Sequence, residues 1–130
     1  MALTCVVVTP ENTALETEAD FVALPLYDGE LGVLPGRAPL IGRLGFGQLR
    51  VKRGGIESHY YLDGGFVQVA DNVITILTPR AIPAGQINVQ AAEKQLEAVR
   101  HRPASTPELL EIRDRLESQA RAMLYVAKHA

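Results

Sequence analysis

The sequence predicts an α+β protein. A flattened antiparallel β-sandwich or barrel occupies residues 1–84, and an antiparallel two-helix hairpin occupies residues 85–130. Three observations carry this expectation. Residues 1 to about 80 break into short apolar or alternating runs bounded by Gly, Pro, Asp and Asn, the pattern of many closely spaced strands. Beyond Asn88 the apolar period lengthens to that of a helix. Between Gly29 and Leu49 stand six glycines and two prolines, which no helix accommodates.

Taken in order, Leu3 to Val8 is an apolar strand ending at Pro10. Thr13 to Ala19 alternates, with Glu16 and Glu18 on one face and Leu15 and Thr17 on the other. Asp20 to Leu26 is a third strand, closed by Tyr27-Asp28-Gly29. The glycine-rich stretch reads as short strands joined by sharp turns, with Leu31, Val33, Leu34, Leu40, Ile41 and Leu44 supplying core. It contains no His, Cys, Ser or Thr, so it reads as a rigid shape for contact with another protein. Its turns flank Glu30–Leu34 and Leu40–Leu44, expected to pair, which would put both turns at one end of the sandwich.

Gly54-Gly55 is a two-residue hairpin turn. It would set Arg53 opposite Ile56, Lys52 opposite Glu57, Val51 opposite Ser58 and Leu49 opposite Tyr60. Leu49, Val51, Ile56 and Tyr60 then share one face, and Lys52 with Glu57 forms a favourable cross-strand pair. Asp63-Gly64-Gly65 reads as a further turn. Asp71-Asn72 turns a second hairpin, with Val67, Val69, Ile74 and Ile76 on one side. Phe66, Gln68, Thr75 and Leu77 on the other suggest a strand covered on both faces. Pro79 to Gly85 interrupts the strand pattern.

Asn88 caps the first helix, which carries Val89, Ala92, Leu96 and Val99 as a stripe and stops before Pro103. Thr106-Pro107-Glu108 restarts the helix: Thr caps, Pro fits the first turn, and Glu suits its positive end. Leu109, Ile112, Leu116, Ala120, Met123 and Ala127 form the second stripe. Alanine buries little area, so a detachable hairpin is expected.

Composition narrows the function. At 130 residues and 47% hydrophobic, the chain can build one core with an appendage. A net charge of −2 and a pI near 5.9 offer no bulk attraction to nucleic acid. Without Trp, and with aromatics at 5%, base-stacking platforms are not expected. The single Cys5 sits in an apolar strand and reads as a buried, inert thiol outside any disulfide frame. Neither a signal peptide nor a run near the roughly 18 apolar residues of a membrane span is visible.

Catalytic constellations are also missing. His59, His101 and His129 stand far apart, with no metal-ligand spacing, and Cys5 has no His nearby. Asp28, Glu30, Asp63 and Asp71 occupy turns, where Asp serves the backbone. No phosphate-cradling Gly-Lys-Ser/Thr loop exists. Neither a metal nor a cofactor is expected. Arg113, Arg115, Arg121 and Lys128 on the second helix remain as a cationic signal, with Glu111, Asp114 and Glu117 as alternative intrahelical partners. A stand-alone sandwich that binds sugar or peptide would want exposed aromatics, and the chain has three Phe and four Tyr.

Two blocks resemble the ε-chain family of the rotary ATP synthases. The first runs Gly29-Glu30-Leu31-Gly32-Val33-Leu34-Pro35-Gly36-Arg37-Ala38-Pro39-Leu40, with Gly47 after it. The second runs Tyr61-Leu62-Asp63-Gly64-Gly65-Phe66-Val67-Gln68-Val69, followed by Asn72 to Leu77. The resemblance implies a non-catalytic rotor subunit joining the γ subunit to the c ring at the cytoplasmic face of the bacterial inner membrane. It implies that Asp28, Gly29, Glu30, Gly36, Arg37, Ala38 and Pro39 meet the c ring. It implies a hairpin that can extend, set Arg113, Arg115, Arg121 and Lys128 against the α and β subunits, and inhibit ATP hydrolysis. Two departures stand out. Arg37 replaces the family's usual His. The hairpin's ATP motif is Ile87-Asn88-Val89-Gln90-Ala91-Ala92 here, without its Asp and Arg, and Gln119 and Met123 replace two further arginines. ATP binding is therefore not expected.

Overall fold

The structure, a computed structural model, describes residues 2–129; Met1 and Ala130, the outer ends of the two expected parts, lie outside it. Its strands are β1 (Leu3–Val8), β2 (Thr13–Ala19), β3 (Phe21–Leu26), β4 (Gly29–Val33), β5 (Leu40–Arg53), β6 (Ile56–Ala70), β7 (Val73–Leu77) and β8 (Ala81–Pro83). A 3-10 turn at Ala84–Gln86 leads to α1 (Val89–Arg100) and α2 (Pro107–His129). The strand order is β2-β1-β7-β6-β5-β3-β4, with β8 added to β6. Pairing is antiparallel except between β1 and β7, which run parallel. The folded sheet closes around Leu3, Val7, Leu24, Leu49, Leu62, Val67 and Ile76.

β5 and β6 are the long elements, and one register runs through both, from Arg53 opposite Ile56 to Leu40 opposite Val69. The Gly54-Gly55 turn sets that register, as its positive φ angles of 57° and 83° allow. At Asp71 and Asn72, φ values of 52° and 63° make the second hairpin turn the same way. Lys52 does stand opposite Glu57, but the Glu57 carboxylate engages Arg50 at 3.7 Å and His59 at 3.1 Å instead.

The expected turn at Asp63-Gly64-Gly65 is not a turn, because β6 runs straight through it. The segment is a bend at which the buried side of the hairpin changes. Leu44, Val67 and Val69 face the core on one side of the bend, and Leu49, Val51 and Leu62 on the other. Leu62 and Val67 are separated by an odd step, which an undisturbed pleat would send to opposite faces. Gly64 and Gly65 absorb the inversion with φ of 79° and 109°. A Cβ on Gly65 would overlap the Leu77 carbonyl oxygen, so the bend also lets β7 come close.

Several residues expected in the core lie outside it. Ile41 is 80% and Leu34 61% exposed. Ile56 is exposed at the hairpin tip, beyond the reach of the core. Phe66 and Leu77 are 60% and 53% exposed, so β7 and the part of β6 beyond Gly65 are covered on one face only.

The hairpin is docked. Asn88 caps α1 by accepting the Ala91 N–H at 2.9 Å, and the Thr106 hydroxyl accepts the Leu109 N–H at 3.2 Å. α2 packs on β5 and β6, and α1 packs on α2. Tyr61, Ala92, Met123 and Val126 form a small second core. Val89, expected on the buried stripe, is exposed.

Cys5 is fully buried, and burial pushes its thiol from 9.0 up to about 12. The folded thiol therefore holds its proton where the unfolded one loses it. Its contribution to stability is complete below about pH 9 and falls as pH rises toward 12. We predict no reaction of the native protein with Ellman's reagent at pH 8 and full reaction in urea. Immediate stoichiometric labelling of the native protein would contradict the burial.

Candidate functional site

The seven residues expected to meet a partner in the glycine-rich stretch are all exposed, but they do not form one patch. β4 pairs with β3 alone and is an edge strand, while Leu40 pairs with Val69 of β6. Asp28, Gly29 and Glu30 stand at the start of β4. Gly36, Arg37, Ala38 and Pro39 follow its far end. Five residues of strand separate the two turns by about 16 Å. The expectation that both lie at one end is therefore wrong, because it rested on pairing β4 with β5.

Each turn has its own fastening. The Arg43 guanidinium sits 5.9 Å over the exposed Tyr27 ring. The Glu30 carboxylate accepts from Arg50 Nη2 at 2.9 Å, so this expected contact charge is already paired. At the other turn the Gly36 N–H donates to Asn72 Oδ1 at 2.7 Å, tying the loop to the β6–β7 turn.

The sequence did not reveal the apolar outer face of the sheet. Phe66 stands opposite Leu77 and beside Arg43, and Ile41 stands opposite Gln68. Val8, Pro10, Phe66, Leu77 and Pro79 line a shallow apolar cleft of about 410 Å³ along its edge. Apolar rows of this kind mark contact surfaces. The alternation of β6 and β7 held the signal: both of their faces carry large apolar residues, and one sheet cannot bury both.

Where sandwich meets helix, Asp63 collects three neighbours. Its Oδ1 accepts from the Tyr61 hydroxyl at 2.7 Å and from Gln119 Nε2 at 2.9 Å. Its Oδ2 lies 3.7 Å from Arg80 Nε. Burial, with the Asp63 carboxylate next in weight, raises the Tyr61 pKa and keeps its hydroxyl a donor. Gln119 lies on the inward stripe of α2 that runs Ile112, Leu116, Gln119, Met123, Val126.

The α2 cations divide. Helical geometry puts Arg113, Arg121 and Lys128 on one side and Arg115 away from them. Arg121 bonds Glu117 at 2.9 Å, and Arg113 is half-buried. Among the described residues, Arg113, Arg115 and Lys128 have no carboxylate within ion-pair distance. His59 bonds Gln48 at 2.5 Å and Glu57 within the sheet, and His129 stacks on Tyr125. No group of three or more His, Cys, Asp or Glu among the described residues could hold a metal.

Comparison with known proteins gives the constellation a context. The family model for the ATP synthase delta/epsilon chain β-sandwich domain matches residues 2–84. The ATP synthase epsilon chain of Rhodopirellula baltica is 50% identical over 128 residues, covering 98% of this chain and all of the relative. That of Rubrobacter xylanophilus is 38% identical over 82% of this chain and 73% of its own length. A chain in the Euglena gracilis mitochondrial ATP synthase, in a structure of OSCP, F1 and c-ring, superposes with a TM-score of 0.75 at 25% identity. That match covers 98% of this chain and 78% of the other. A chain of the Tetrahymena thermophila mitochondrial central stalk and c-ring has the same TM-score of 0.75 at 16% identity and shows the shared fold. With a family model over its whole sandwich and a relative half identical along nearly its full length, this chain belongs to the delta/epsilon chain family of ATP synthase subunits.

Proposed function

We propose that the chain acts as a non-catalytic rotor subunit, joining the γ subunit to the c ring on the cytoplasmic face of a bacterial plasma membrane. The observation that carries this reading is the pairing of an ε-chain-like sequence with two separate exposed surfaces on one well-packed sandwich. A subunit that passes torque between two partners needs two faces on a body that does not deform. The β5–β6 hairpin, hydrogen-bonded along its length, supplies such a body. Among the described residues no helix is long and apolar enough to cross a membrane.

The outer face bearing Ile41, Phe66 and Leu77 is assigned to γ, since burying it would remove the largest apolar liability of the sheet. The polar turn of Asp28, Gly29 and Glu30 is assigned to the polar loops of the c ring. Gly36, Arg37, Ala38 and Pro39, at the far end of β4, then flank the γ contact and do not share the ring contact. A permanent cation at Arg37 makes that flank insensitive to pH near neutrality.

The hairpin is assigned a control function. Its buried residues are Ala92 and Val99 in α1, and Ala120, Met123 and Val126 in α2. An interface this poor in large side chains favours the docked state by only a few kcal/mol, about 0.8 per buried methylene group. On extension, Arg113, Arg121 and Lys128 would offer a common side to an acidic segment of the catalytic head, with Arg115 reaching a second contact. Such pairs supply the differential binding that a population shift requires. Nucleotide has no part in this reading: Asn88 is occupied as a cap, Gln119 is bonded to Asp63, and Met123 is buried.

Two experiments test the assignments. Deleting residues 88–130 should raise ATP hydrolysis and leave assembly intact, and Arg113→Ala, Arg115→Ala and Arg121→Ala together should give part of that rise. An unmodified hydrolysis rate in the truncated complex, at limiting and saturating ATP, would show that the hairpin does not inhibit. Glu30→Lys replaces one member of an exposed ion pair and sets like charge beside Arg50, which should cost the isolated fold at most about 1 kcal/mol. It should weaken ATP-driven ion pumping in the reassembled enzyme, and unchanged pumping would remove Glu30 from the ring contact.

A further inference from the structure

We propose that Asp63 is the pin of a latch that holds α2 on the sandwich, and that breaking its bond to Gln119 is what releases the hairpin, without any nucleotide. This rests on the reading above that the hairpin leaves the sandwich, and it names the contact that sets how often it does so.

The argument starts from the imbalance of the interface. Its apolar part is small beside the sandwich core: Ala92, Met123 and Val126 close over Tyr61, and Phe46, Ile82, Ile87 and Leu124 pack against them only partly buried. Among the described residues no ion pair joins the sandwich to the helices. Polar attachment therefore weighs more than usual, and it converges on one carboxylate. Asp63 Oδ1 takes both the Tyr61 hydroxyl, at 2.7 Å, and Gln119 Nε2, at 2.9 Å. The two donors come from opposite sides of the junction, one from β6 and one from α2. A hydrogen bond to a charged acceptor is stronger than a neutral pair. Arg80 approaches the acceptor from the sandwich side, with its Nε 3.7 Å from Oδ2 and its guanidinium 5.8 Å over the Tyr61 ring. Undocking α2 removes one donor and leaves the other two in place. The sandwich half of the latch therefore survives release intact and can accept the helix again.

Position and access make the latch reversible. Asp63 directly precedes the Gly64-Gly65 bend, where the hairpin backbone is fixed by its approach to Leu77. The carboxylate is thus carried on a part of the sheet held by close backbone packing. Beside it lies a cleft of about 480 Å³ between Tyr27, Arg43, Phe46 and Ser118 of α2. Water entering there can replace Gln119 on Oδ1 one bond at a time, which lowers the barrier to release. Deeply buried, the same bond would hold the helix permanently.

The test is amide hydrogen exchange on the isolated full-length chain. Gln119→Ala removes the donor and keeps a good helix former, so the chain should fold. Gln119→Glu sets a second carboxylate against Asp63. Exchange across Ser118 to Val126 should quicken roughly three- to tenfold in the first variant, the loss expected for one hydrogen bond, and further in the second. The strands β1 to β7 should exchange as before. Unchanged α2 exchange in both variants would overturn the latch. So would faster exchange spread through the strands, since Gln119 would then support the whole fold. Slower α2 exchange of the unmodified chain in millimolar ATP would overturn the claim that nucleotide has no part in holding the hairpin. Faster α2 exchange with unchanged ATP hydrolysis in the reassembled complex supports the latch and sinks only the inhibitory reading.

Discussion

The structure depends on one constraint, the bend that Gly64 and Gly65 impose on β6 while its pairing with β5 stays in register. A hairpin of this length would otherwise present one face to one layer. The bend lets the same two strands line the sandwich core with Val67 and Val69 at one end and with Leu49 and Leu62 at the other. It also decides what is left over. On one side of the bend, Phe66 is turned out toward solvent; on the other, Tyr61 and Phe46 are turned toward the helices. Both the outer apolar face and the helix-docking face therefore follow from where the core face changes sides. Only glycine serves at Gly65, because a side chain there would meet the Leu77 backbone.

This division would let one small chain hold the two kinds of contact proposed for it. The sandwich has a full core of β-branched and leucine side chains, many of them completely buried. Large apolar residues packed at native density make a body that transmits force without deforming. The hairpin lies on it through a second, smaller cluster around Tyr61, Met123 and Val126, much of it only partly buried, and one carboxylate. In the proposed reading, a strong core beside a weaker seam would let the helices leave without loosening the sandwich. Rigid attachment and a conditional contact can then be carried by the same chain.

Much of this was legible in the sequence wherever a local rule decided the outcome. Gly54-Gly55 and Asp71-Asn72 set two registers, and Asn88 and Thr106 capped their helices, because each depends only on near neighbours. Asp63-Gly64-Gly65 was misread because a turn and a bend need the same residues; what separates them is the distant approach of Leu77. The parallel pairing of β1 with β7 was likewise invisible, since it joins segments almost seventy residues apart. Ile41, Phe66 and Leu77 read as core because apolarity does not say which face of a sheet is covered. The turns at Asp28 and Gly36 were set at one end because β4 was paired with the wrong strand. The Asp63–Gln119 contact joins residues 56 positions apart, yet it left a trace. Gln119 interrupts the stripe of Ile112, Leu116, Met123 and Val126, and a polar residue on a buried stripe needs a partner.

The central claim is that the outer apolar face fastens the sandwich to its γ partner. It is tested most directly by measuring the affinity of the isolated chain for γ after Phe66→Asp and Leu77→Asp. Both side chains are more than half exposed, so the variants should keep the native melting temperature. A buried carboxylate without a partner is costly, so the affinity should fall at least about tenfold in each variant. Unchanged affinity in both, with the fold intact, would contradict the account and move the γ contact elsewhere on the sandwich.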